Sequence, residues 1–76
     1  MTTIELIDTT ARMIGCSPEE LIESIVIVFC DRENATNQDA IIEQNVGRYK
    51  RGESDILPPY IGNFCRDRLE QMAVQH

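Results

Sequence analysis

The chain has 76 residues, of which 42% are hydrophobic and 26% are charged, and its formal net charge at pH 7 is −6. These fractions are typical of a globular protein and exclude a disordered or low-complexity polypeptide. The length predicts a single domain over residues 1–76, near the lower size limit at which a domain is stable alone.

Cysteine usage and the distribution of apolar residues predict a cytoplasmic protein. The three cysteines are an odd number and include no CxxC pair, which argues against a disulfide framework and for a reducing compartment. No basic segment followed by an apolar run suggests a signal peptide. The longest apolar run, Ile25–Cys30, is far shorter than the roughly 20 residues of a membrane-spanning helix. We therefore expect no membrane association.

A first amphipathic helix is predicted over residues 3–14. Its inward face consists of apolar residues at helical spacing, namely Ile4, Ile7, Ala11 and Ile14. Gly15 follows this stripe and is expected to end the helix, because glycine readily adopts the left-handed backbone conformation of a helix terminus.

A second helix is predicted over residues 18–31, where Ser17 and Glu20 form the sequence pattern of a capping box. Its centre also has the composition of a strand, but the capping box and the length favour a helix. The last two turns are apolar on all sides, which predicts burial either at the centre of a bundle or in a dimer interface. The residues concerned are Ile25, Ile27, Val28 and Phe29.

Two further helices are predicted over residues 37–51 and 58–74, with Gly52 ending the third helix and two prolines opening the fourth. The apolar or buried stripe of the third helix is predicted to contain Ile42, Asn45, Val46 and Tyr49. That of the fourth is predicted to contain Ile61, Phe64, Cys65, Leu69 and Met72. The sequence therefore predicts an all-α fold, a compact bundle of about four short helices.

The residue types needed for catalysis are scarce. The only histidine, His76, is the last residue of the sequence, and chain ends are usually disordered. No zinc-ligand spacing, glycine-rich phosphate loop or Ser/His/Asp set is present. We expect a protein that is not an enzyme and that holds no metal and no cofactor.

The negative charge is concentrated in the first part of the chain. Residues 1–47 contain nine acids and two arginines, a balance of −7, whereas residues 48–76 contain four acids and five basic residues. Acids on the second and third helices are predicted to form one face that docks on a basic surface of a partner protein. They are Glu19, Glu20, Glu23, Asp31, Glu33, Asp39 and Glu43. This pattern favours a small regulator or inhibitor of the phage type. Solubility alone is the simpler explanation.

A second interpretation concerns the basic end of the third helix. The segments Val46–Ser54 and Leu57–Ile61 place an aromatic-x-x-Gly stretch before a helix that starts with proline. Over residues 45–64 this resembles the end of the recognition helix in phage-repressor-like helix-turn-helix regulators. The resemblance implies DNA binding through Arg48, Lys50 and Arg51. Alternatively, these residues only complement the negative end of the helix dipole.

Overall fold

A computed structural model describes residues 1–74, which form four α-helices and one short 3₁₀ helix. The helices are α1 (Thr3–Ile14), α2 (Pro18–Glu33), α3 (Gln38–Lys50) and α4 (Pro59–Val74), and the 3₁₀ helix (Ser54–Ile56) lies between α3 and α4. No strand occurs among these residues. The predicted all-α fold is confirmed, and the predicted helix boundaries agree with the structure to within two residues.

Two capping boxes begin the first two helices. At α2, Ser17 Oγ accepts a hydrogen bond from the Glu20 amide at 3.1 Å, and Glu20 Oε1 accepts one from the Ser17 amide at 3.3 Å. The predicted box is therefore present. An equivalent box at α1 joins Thr2 and Glu5, with both bonds at 3.1 Å. Each N-cap contributes about 1 kcal/mol to helix stability.

The ends of α1 and α2 depend on residues in the left-handed conformation. Gly15 ends α1 with a φ of 89°, as predicted. At the end of α2, Asn34 takes this conformation with a φ of 54° and donates its amide to the Cys30 carbonyl. Because Asn34 is the terminating residue, α2 continues two residues beyond the predicted end at Asp31.

The core is one cluster of buried side chains, mostly aliphatic, from α1, α2, α4 and the residue after the 3₁₀ helix. It consists of Leu6, Ile7, Ala11, Leu21, Ile22, Ile25, Val26, Cys30, Leu57, Ile61 and Cys65. Some of the predicted inward positions are only half-buried, namely Ile4, Phe64, Leu69 and Met72. Ile14 is 40% exposed because it is the last residue of α1, and Leu6, predicted to lie off the stripe, is buried. The buried face of α1 is therefore rotated relative to the predicted one.

The third helix covers the core but contributes no fully buried apolar side chain. Its predicted stripe residues Ile42, Val46 and Tyr49 are half-buried, and Asn45 is its one buried residue. The Asn45 side-chain amide donates to the Ile41 carbonyl at 3.0 Å and to the hydroxyl of Tyr60 at 3.4 Å. A buried polar contact therefore joins α3 to α4.

The helices contact one another unequally. The pairs α1–α4 and α2–α3 pack most extensively, whereas α2 and α4 make fewer contacts. A groove therefore remains between α2 and α4. None of the helices in residues 1–74 is long and apolar enough to cross a membrane.

Candidate protein-interaction surfaces

The solvent-facing side of α2 carries a line of acids. Glu20, Glu23 and Asp31 are exposed, and at about 100° per residue they lie within roughly 80° of one another around the helix. Ile27 lies among them and is half-buried. Glu23 is one turn after Glu19, so this line runs along the side of α2 on which Glu19 lies.

The third helix adds two acids beside this line. Asp39 and Glu43 are exposed and one turn apart. On the far side of α3, the Arg48 guanidinium donates to the Ile56 carbonyl of the 3₁₀ helix at 3.2 Å. Because α3 packs mainly against α2, these two acids and the acids of α2 lie on adjacent helices. We call the resulting surface the acidic edge, formed by Glu20, Glu23, Asp31, Asp39 and Glu43.

The other two acids of the predicted face do not belong to the acidic edge. Glu19 is half-buried beside Tyr49, whose hydroxyl donates a hydrogen bond to Asp8. That bond, with burial and the negative charges of Asp8 and Glu19, raises the pKa of Tyr49 to about 12. Glu33 lines the groove between α2 and α4. Five of the seven predicted residues are thus exposed on α2 and α3, two helices that pack against each other.

The acids of the acidic edge have no basic partner within the described part of the chain. The one ion pair in residues 1–74 joins Arg51 Nε to Glu53 Oε1 at 2.6 Å. Glu20 alone accepts a hydrogen bond, from the Ser17 amide of its capping box. Lys50 is exposed at the end of α3, seven residues after Glu43 and therefore on nearly the same side of the helix. The edge therefore presents uncompensated negative charge to solvent, with one cation at its end.

The three basic residues predicted to contact DNA do not all lie on one side of α3. Arg48 and Lys50 are two residues apart, so they project to opposite sides of α3. Arg48 binds the Ile56 carbonyl and Arg51 pairs with Glu53, whereas Lys50 makes no hydrogen bond within residues 1–74. Two of the three guanidinium or ammonium groups are therefore engaged in local contacts at the end of α3.

A concave surface with a volume of about 560 Å³ lies between α2 and α4. Its apolar part contains a stacked aromatic pair, Phe29 and Tyr60, with ring centroids 3.9 Å apart and planes inclined by 10°. Burial raises the pKa of Tyr60, although its bond from Asn45 acts in the opposite direction. Phe64 and Val28 extend the apolar surface. We call this surface the α2–α4 groove.

The apolar residues of α2 have unequal environments. Ile25 belongs to the core, Ile27 and Phe29 are half-buried, and Val28 is 39% exposed. The prediction that this helix is buried on every side at the centre of the bundle is therefore wrong, because α2 has only limited contact with α4 on the side of Val28. The alternative of a dimer interface stays a prediction.

The cysteines and the charged side chains form no cluster of metal-ligand type in residues 1–74. Cys16, Cys30 and Cys65 are free thiols, and burial raises the pKa of Cys65 while a contact with Thr10 lowers it. His76 lies outside the described residues. Searches against family models, curated protein sequences and solved structures return no match for this chain.

Proposed function

We propose that this chain is a non-catalytic protein-interaction module, a regulator or inhibitor that docks its acidic edge on a basic surface of a partner protein. The observation that supports the proposal is the group of exposed acids on α2 and α3, none of which has an ion-pair partner in residues 1–74. Unpaired charges keep their field in solvent, and such a field accelerates encounter with an oppositely charged surface.

The geometry of the acidic edge suits a partner surface rich in arginine and lysine. Acids one turn apart on a helix are spaced by about 5–6 Å, and two such helices side by side present carboxylates over several turns. A surface that binds nucleic acid carries closely spaced positive charges, because it neutralises closely spaced phosphates. The proposed setting is the cytoplasm, which the three free thiols support.

The experiment compares two charge-matched variants. Glu23→Lys with Glu43→Lys alters the acidic edge, and Asp55→Lys with Glu70→Lys alters exposed acids elsewhere. Each pair changes the net charge from −6 to −2. All four positions are free of the capping boxes and of hydrogen bonds that hold the fold. Both variants should therefore keep the wild-type circular dichroism spectrum.

The wild-type chain and both variants are used to capture partners from lysate of the source cells after nuclease treatment. A captured protein is then purified and titrated directly against all three chains. We expect the edge variant to lose binding and the control variant to keep it. Equal binding by all three chains would exclude the acidic edge as the docking surface.

DNA binding is the second candidate. One observation favours it: α2 and α3 pack together and are joined by the short connection 34–37, as in helix-turn-helix proteins. Against it, α3 exposes Asp39 and Glu43, which repel phosphates. If capture yields nucleic acid that nuclease removes, and if duplex binding at low salt is lost on Lys50→Ala, this candidate replaces the first.

A further inference from the structure

The α2–α4 groove leaves apolar surface of two helices uncovered. Val28 is 39% exposed, and Phe29, Tyr60 and Phe64 are half-buried around it. Aromatic side chains supply much of the contact energy in protein interfaces. An occupant of this groove would therefore bury apolar surface contributed by two helices of 16 residues each.

The charged side chains that line the groove balance one another. Arg32 and Glu33 lie on the α2 side, and Asp67 and Arg68 lie on the α4 side. These four charges sum to zero, whereas the whole chain carries −6. Two copies of the chain repel each other where their acidic edges meet, but not where neutral surfaces meet.

From these features we infer that the α2–α4 groove is the interface through which two copies of this chain form a two-fold symmetric dimer. A two-fold interface places the same patch against itself, so the patch must be self-complementary. The groove meets this condition because each copy brings two arginines and two acids beside one apolar strip. The arginines of each copy then face acids of the other, and the aromatic strips pack at the centre.

The size of the chain also favours a second copy as the occupant of the groove. Below roughly 70–80 residues a single core rarely supplies more than about 3–5 kcal/mol, and small proteins often add a disulfide, a metal or a second subunit. The three cysteines form no disulfide. Pairing α2 and α4 of each copy makes a four-helix interface, which enlarges the apolar core without changing either copy. The acidic edge, on the other side of α2, remains exposed in both copies.

The first test is the mass of the wild-type chain by light scattering at concentrations from about 1 to 100 µM, because association depends on concentration. We expect a species of twice the 8.7 kDa chain mass. Val28→Glu places a charge in the groove at a position that is exposed in the single chain, so folding should survive. It should weaken dimerisation by roughly 30-fold or more, as loss of an interface hot spot does.

Met13→Glu is the matched control, since Met13 is 57% exposed on α1 and does not line the groove. This variant should dimerise as the wild type does. A wild-type mass of one chain at the highest concentration would overturn the inference, as would a dimer that Val28→Glu leaves intact. A groove occupied by a different protein or by a small apolar ligand would appear as the first of these outcomes.

A charge-exchange experiment separates a second copy from any other cause of association. Arg32→Glu with Arg68→Glu makes the rim wholly acidic, and Glu33→Lys with Asp67→Lys makes it wholly basic. Each variant alone should be monomeric because like charges face each other, and an equimolar mixture should form the heterodimer in native mass spectrometry. Failure of the mixture to associate, with both variants folded, would contradict the paired-rim arrangement. Partner capture by the acidic edge is measured separately, so either proposal can fail alone.

Discussion

The acidic edge and the α2–α4 groove share one helix but differ in how they are tied to the fold. The carboxylates of Glu23 and Glu43 make no hydrogen bond or ion pair in residues 1–74, so they can change without disturbing the bundle. The groove rests on Ile25, which is 2% exposed, and on the Phe29–Tyr60 stack. One surface is therefore separable from the core, whereas the other is the outer layer of the core itself.

The largest expected effect tests this difference in stability. Ile25→Ala removes a buried side chain beneath the groove and should lower the free energy of unfolding by about 2–5 kcal/mol. Glu23→Gln should change it by less than about 0.5 kcal/mol, because exposed charges contribute little to stability. Urea denaturation followed by circular dichroism measures both. Similar losses in the two variants would show that the acidic edge is part of the folding core.

Ionic strength should also separate the two surfaces. Charges on the acidic edge act over about 8–10 Å at physiological salt, and this range shortens as salt is added. The association rate with a basic partner should therefore fall on the order of tenfold between low and high salt. Dimerisation through the neutral groove should change much less. Stopped-flow association and light scattering over the same salt series measure the two responses. Equal salt dependence would mean that the groove, too, associates by net charge.

Glu20 is the one residue of the acidic edge that also caps a helix, and its substitution gives the smallest expected effect. Glu20→Gln keeps an oxygen acceptor for the Ser17 amide, so stability should fall by only about 0.3–1 kcal/mol from the lost charge at the helix N-terminus. Glu20→Ala should cost more, since it also removes the acceptor. Both should slow partner association equally. If the two variants are equally stable, the hydrogen bond from the Ser17 amide to the Glu20 side chain contributes nothing to the free energy of unfolding.

The parts of this fold that depend on neighbouring residues could be predicted from the sequence. The Ser17 box and the Gly15 terminus were predictable because capping involves residues within one turn. The end of α2 was harder to predict, because both Asp31 and Asn34 are polar. Asn34 takes the left-handed conformation, which short polar side chains tolerate, and it ends the helix.

The two surfaces depend on which side of each helix meets a neighbour, and periodicity does not specify that. Glu19 and Glu23 are equivalent in the sequence, yet α3 half-buries the first and leaves the second exposed. The groove had one usable signal: Tyr60 and Phe64 are aromatic residues one turn apart on α4. Its neighbour across the groove, Phe29, could be identified only once α2 and α4 were placed in space.

The stacked pair in the groove also provides an optical probe. The chain contains no tryptophan and two tyrosines, so its ultraviolet emission comes from Tyr49 and Tyr60. The Tyr49 hydroxyl donates to the Asp8 carboxylate, an arrangement that quenches tyrosine fluorescence. Tyr60 is then the principal emitter, and it lines the groove. Any molecule that enters the groove displaces water from this ring, so the unlabelled protein itself can report when the surface is covered.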